Sequence, residues 1–221
     1  MKLLAISILL ITMAFNSIAQ SIDYEKVKIQ NNSVLFKIQK IENNETIILE
    51  GNKYDASIDP FTGMEKSNSR DAKVFLIGEE QTDYIMTAEM KFININLENC
   101  KGCGWFGFAI RAQDFYNFEA VWFMPGVDEN NVAYLPIAHG IGPYWAEGYL
   151  KSEKGTAKLQ KNDWFEAKAI VKGKDISIYV NDELVLEKKA SYYLTSGYAG
   201  FFVGTATDAA FRNVKIEKIS N

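Results

Sequence analysis
Histidine is nearly absent from this 221-residue chain: there is one, His139. A single histidine cannot build a His-rich metal centre. A Ser-His-Asp triad would have to use it, and no Gly-x-Ser-x-Gly elbow accompanies it. Positive charge is also scarce. The 24 basic residues are outnumbered by 28 acidic ones, for a net charge of −4, and no basic run stands out. This argues against a nucleic-acid partner. Prolines number four, and no low-complexity linker or internal repeat divides the chain, so nothing marks a second domain. Past the first fifteen residues no apolar stretch approaches membrane-spanning length, so no membrane span is expected in the mature protein.

The N-terminus stands apart. Met1-Lys2 gives a short positive start, and residues 3–15 (LLAISILLITMAF) are apolar. Ser17 and Ala19 then put small side chains at −3 and −1 of a cut before Gln20. This is the pattern of a secretory signal peptide, and it is short for a membrane span. Residues 1–19 are read as the signal and 20–221 as one domain, periplasmic or secreted. Loss of Lys2 takes the net charge from −4 to −5.

From residue 34 onward the chain reads as strand after strand. Twelve segments are rich in Val, Ile, Phe, Tyr and Thr: 34–41, 46–50, 72–78, 84–96, 105–113, 117–124, 131–137, 163–172, 175–180, 183–188, 198–204 and 209–217. Many alternate with period two, and none after the leader holds a helical period. Turn residues separate them, as at Gly173-Lys174 and Asn181-Asp182. The pattern predicts an all-β fold, a two-sheet antiparallel jelly-roll sandwich. Residues 51–71 and 140–162 read as long loops, which often carry function. Alternation sets Phe106, Phe108 and Ile110 on one face and Gly107, Ala109 and Arg111 on the other. A hairpin pairing Ile110 with Val121 and Phe108 with Phe123 would place Arg111 beside Trp122, away from the core, with a hollow over Gly107 and Ala109.

Four runs follow one another in the last third: Asp163-Trp164-Phe165-Glu166-Ala167-Lys168, Ile176-Ser177-Ile178-Tyr179-Val180-Asn181, Ser196-Gly197-Tyr198-Ala199-Gly200-Phe201-Phe202-Val203-Gly204 and Phe211-Arg212-Asn213-Val214-Lys215-Ile216. In this order they resemble concanavalin A-like lectin/glucanase domains, including laminin-G-type modules. They are most similar to the bacterial 3-keto-disaccharide hydrolase-like domains. Phe106-Gly107-Phe108-Ala109-Ile110-Arg111 and Phe118-Glu119-Ala120-Val121-Trp122-Phe123-Met124-Pro125 resemble two middle strands of that branch, with Met124 where it carries arginine. The resemblance implies a concanavalin A-like sandwich and an oligosaccharide or polysaccharide partner. It leaves three activities open on this fold: carbohydrate binding, hydrolysis of a 3-keto-disaccharide or related glycoside, and laminin-G-like protein binding. Laminarinase-type hydrolases use a Glu-x-Asp-x-x-Glu strand; here no Glu is followed two places later by Asp, which argues against that mechanism.

Sugar sites combine aromatic platforms with a few placed polar groups. Arg111 and Trp122 offer a guanidinium fork beside an indole; the plain alternative is an arginine packed on tryptophan. His139, Tyr144, Trp145 and Tyr149 gather at the second long loop. They are read as ligand contacts, or else His139 caps a strand end and Trp145 covers an end of the sandwich. In an enzyme, His139 and Glu119 are the acid/base candidates, although Glu119 reads first as a structural hydrogen-bond partner. Asp128, Glu129 and Asn130 form an oxygen-rich turn. Calcium takes six or more oxygens, so this turn would need a second loop to complete a calcium site, and a plain polar turn is the other reading.

Cys100 and Cys103 are the only cysteines. A redox Cys-x-x-Cys sits at a helix N-terminus, and zinc needs four ligands. Here Gly104 and a strand follow, and partners are lacking. Export favours a disulfide closing the turn before residue 105.

Overall fold
A computed structural model describes residues 29–31, 36–51, 72–95, 104–138, 153–190, 194–204 and 207–220. Among these residues there are fourteen strands and no helix, arranged as two seven-stranded antiparallel sheets. The first sheet runs β1 (Ile29–Asn31), β4 (Lys73–Gln81), β13 (Gly197–Val203), β6 (Phe106–Ala112), β7 (Phe118–Phe123), β8 (Val132–Ile137) and β9 (Glu153–Gly155). The second runs β12 (Glu183–Lys189), β11 (Asp175–Val180), β10 (Phe165–Lys172), β5 (Tyr84–Ile95), β14 (Thr207–Lys218), β3 (Asn44–Glu50) and β2 (Lys37–Ile41). The twelve expected strands are β2–β8 and β10–β14. The short β1 and β9 are additional, and β9 lies inside the stretch read as a loop.

The two sheets differ in what they bury. In β10, Phe165, Ala167, Ala169 and Val171 point into the sandwich, while Glu166, Lys168 and Lys172 face water. That alternation belongs to a sheet with one dry face. In β6, β7 and β8 every residue is buried. The first sheet is therefore dry on both faces at β6–β8, which is why these strands read as nearly continuous apolar runs. Between the sheets lies an aromatic core. Phe106 meets Phe92 edge-on with ring centroids 4.0 Å apart, and Phe201 stacks on Phe211 at 4.1 Å. A second buried cluster, including Val74, Leu76, Trp105, Trp122, Leu135 and Phe202, occupies the outer face of the first sheet.

Two expectations about β6 are corrected. The β6–β7 register pairs Phe106 with Phe123, Phe108 with Val121 and Ile110 with Glu119, two residues away from the expected pairing. The Asp114 carboxylate accepts the amides of Tyr116 and Asn117 at 2.7 and 2.8 Å, and Gln113 N–H donates to the Asn117 carbonyl at 2.8 Å. This Asx turn sets the hairpin. A slip of two keeps the faces, but a β-bulge does not. Between the pairs Ala109–Gly200 and Ala112–Tyr198, β6 has two residues where β13 has one. Arg111 is the extra residue, in the left-handed region at φ 48°. Its side chain turns between the sheets, so it does not share a face with Trp122.

Candidate functional site
The Arg111 guanidinium has no exposed surface, and neither has the Glu119 carboxylate that meets it. Arg111 Nε donates to Glu119 Oε2 at 2.8 Å, and a second guanidinium nitrogen lies 2.8 Å from the same oxygen. Arg111 Nη1 donates to the Gly173 carbonyl, at the turn between β10 and β11. Its backbone N–H donates to the Tyr84 hydroxyl at 3.3 Å. Gly173 N–H in turn donates to Asp83 Oδ1 at 2.8 Å. Arg111 is thus a strut from the bulge of one sheet to a hairpin of the other.

Burial pushes the Glu119 carboxyl above the ordinary carboxylate range, against the pull of Arg111. Burial also raises the Tyr84 and Tyr134 hydroxyls above the usual tyrosine value. Tyr134 faces Glu119, yet neither its hydroxyl nor Glu119 Oε1 makes a hydrogen bond of good geometry. Neither tyrosine was signalled by the sequence as part of a polar group. The available clue was a phenol hydroxyl inside a core strand, which usually finds a partner.

The outer face of the first sheet is built differently. Trp122 lies opposite Gly107 on β6 and Ala133 on β8, with Ala109 and Ala120 beside that pair. A side chain at Gly107, φ 157°, would bring a Cβ within 2.1 Å of the Val121 carbonyl oxygen, so the floor here stays flat. Trp105 packs against Phe202 at 5.3 Å, and its indole lies where a Cβ on Gly204 would be, 2.5 Å from the ring. Phe115, Met124 and Tyr198 pack on this cluster and are only partly buried. Trp122 is 9% exposed, and its Nε1–H is buried with no acceptor. A buried unmet donor costs about 1–3 kcal/mol. The arrangement is a strip of Gly and Ala beside two indoles, with the Trp122 N–H unpaired.

Asp128, Glu129 and Asn130 form an exposed turn, as read from the sequence. Asn131, not singled out there, holds it. Its amide donates to the Val127 and Ala157 carbonyls at 2.9 and 2.8 Å and accepts the Ala157 amide at 2.9 Å. Among the described residues no three His, Cys, Asp or Glu side chains cluster to hold a metal. Cys100, Cys103, His139, Tyr144, Trp145 and Tyr149 lie outside the described residues. In chain order the last four fall between β8 and β9, neighbours at one edge of the first sheet. The chain enters that stretch just after Ile137, which pairs with Phe118 next to Glu119.

Residues 23–217 match the family described as the 3-keto-alpha-glucoside-1,2-lyase-like domain. The chain belongs to this family. No curated protein matches the sequence. Among solved structures, the carbohydrate-binding module CBM66 from Bacillus subtilis is similar with TM-score 0.59 and 14% identity, over 86% of this chain and 95% of that one. The receptor-binding domain of botulinum neurotoxin type G is similar at 0.50 and 11%, over 87% of this chain and 44% of that one. A GH43 protein from Bacillus licheniformis, BlXynB, is similar at 0.50 and 11%, over 79% and 33%. At these identities the likenesses establish the sandwich and nothing finer. The lyase-like domain here keeps its two-sided dry sheet and its buried Arg111–Glu119 pair within that shared architecture.

Proposed function
We propose that this exported lyase-like domain binds carbohydrate on the outer face of its first sheet. The single observation that carries the reading is Trp122, an indole on a Gly/Ala floor whose buried N–H has no acceptor. Sugars offer flat C–H faces to an aromatic floor and oxygens to a donor. In this reading Tyr144, Trp145, Tyr149 and His139 supply walls from the β8–β9 connection, and Arg111 acts from behind the sheet by fixing the bulge. The fold likeness to a carbohydrate-binding module agrees with it. The test is a glycan array with an α-glucoside and its 3-keto form included. Trp122→Phe keeps the ring and removes the donor, so it should lower affinity on the order of tenfold while the fold persists. Unchanged affinity would remove Trp122 from the site.

Catalysis is the second reading, favoured by the family match. The family's description names a lyase, so the bond would break by elimination and not by addition of water. A base takes the proton at C2, which the neighbouring C3 carbonyl acidifies. The C1–C2 double bond forms and the C1–O bond to the leaving group breaks, with the leaving oxygen taking up a proton. Glu119, with its raised proton affinity, and His139 are the candidate groups. Glu119 has no exposed surface, and the Trp122 N–H and the floor alanines Ala109, Ala120 and Ala133 are covered as well, so burial does not separate the two readings. Release of an unsaturated keto sugar from a 3-keto-α-glucoside, abolished by His139→Ala or Glu119→Gln, would decide for the enzyme.

A further inference from the structure
A small cavity of about 180 Å³ opens far from the Arg111 strut, lined by Phe92, Ile93, Asn94, Lys161 and Asn162. Tyr84 begins β5 and Asn94 is near its end, about 30 Å away along the strand at roughly 3.3 Å per residue. The cavity is smaller than the roughly 300–1,000 Å³ of sites for drug-sized ligands, so it suits one ring and not a chain.

Its lining is chemically specific. Lys161 is exposed, and no carboxylate among the described residues pairs with it. Its stem packs on Gly126, where a Cβ would come within 2.7 Å of the lysine Cε. Packing of the stem limits where the ammonium can go. Asn162 holds φ 67°, a left-handed position that asparagine tolerates, and fixes the turn before β10. Asn94 on β5 lies opposite Asp208 on β14, and Asp208 accepts the Gly51 amide at 3.0 Å. The Asn94 side chain is exposed at the pocket. Ile93 is 43% exposed and gives the pocket its apolar surface, while Phe92 beneath it packs in the core against Phe106. An unpaired ammonium, two planar amides and an aliphatic wall around a one-ring space match a sugar that carries a carboxylate.

We propose that this pocket binds one acidic sugar ring. The carboxylate meets Lys161, the hydroxyls meet Asn94 and Asn162, and a C–H face rests on Ile93. The site shares no residue with the Trp122 face, so either can fail alone. The test is amide chemical-shift mapping of the whole mature protein titrated with sodium glucuronate, with glucose and sodium sulfate as separate arms. Glucuronate should shift the Ile93, Asn94 and Asn162 amides saturably and more tightly than either control. Lys161→Gln should weaken it on the order of tenfold, as loss of a charge-assisted contact does. Trp122→Phe should leave it unchanged. Absence of a saturable shift, sulfate or glucose binding as tightly as glucuronate, or no effect of Lys161→Gln would each overturn the proposal.

Discussion

At the scale of single residues the decisive group is the Arg111–Glu119 pair, because both charges sit where water does not reach. Desolvating two ions can cost more than their attraction returns, yet removing one partner is worse. Glu119→Ala leaves a buried guanidinium unpaired and should cost about 3–5 kcal/mol, read from urea unfolding. The pair also gives stability a pH dependence. The folded-state affinity of Glu119 for a proton is raised above the ordinary value. Its favourable contribution is therefore complete below the ordinary carboxylate range and is lost as pH rises through the raised value. Asp208, raised mainly by burial, contributes with the same sign. Melting temperature should fall on going from about pH 4 upward through this window, and Glu119→Gln should flatten the part owed to Glu119 while Asp208 keeps the remainder. An unchanged slope in Glu119→Gln would mean that the carboxyl is not perturbed by folding.

At the scale of elements, the bulge in β6 governs which face receives which side chain. The strands themselves were legible in the sequence, since alternation in β10 and continuous apolar runs in β6–β8 are direct prints of one-sided and two-sided burial. Trp122 was assigned to the outer face correctly for the same reason. Arg111 was not, because a bulge inserts one residue and no residue type announces it. An arginine at φ 48° is held there by its surroundings and not by its own preference. The register, too, depended on the Asp114 turn, whose Asx bonds shift the pairing by two without changing composition. One clue does lie in the sequence: Gly197. At φ 156°, a Cβ there would fall 2.4 Å from the Arg111 carbonyl carbon, so the bulge and the glycine require each other. Gly197→Ala should destabilise by about 1–3 kcal/mol, the usual cost of overpacking, in the same urea measurement. A neutral substitution would show that the bulge is not tightly held at this point.

At the scale of the whole molecule, the contrast between the sheets supports the proposed site. The second sheet spends its outer face on solvated charges such as Lys168 with Asp182 at 2.9 Å, worth little energetically. The first sheet keeps its outer face apolar, with one donor unmet. The sequence made the sandwich and this sheet legible, but not the partner, because one architecture serves binding and bond cleavage alike. The proposed export belongs to the same scale. Protein recovered from its native compartment should begin at Gln20, and intact-mass analysis should find Cys100 and Cys103 joined, two protons lighter than the dithiol. A retained leader or free thiols would contradict the exported reading. The central claim is tested most directly by the Trp122 indole N–H resonance in nitrogen-15-labelled protein titrated with an α-glucoside and its 3-keto form. The account predicts a saturable shift of that resonance as the donor gains its oxygen. If sugar binds while the Trp122 signal stays fixed, the outer face of the first sheet is not the site.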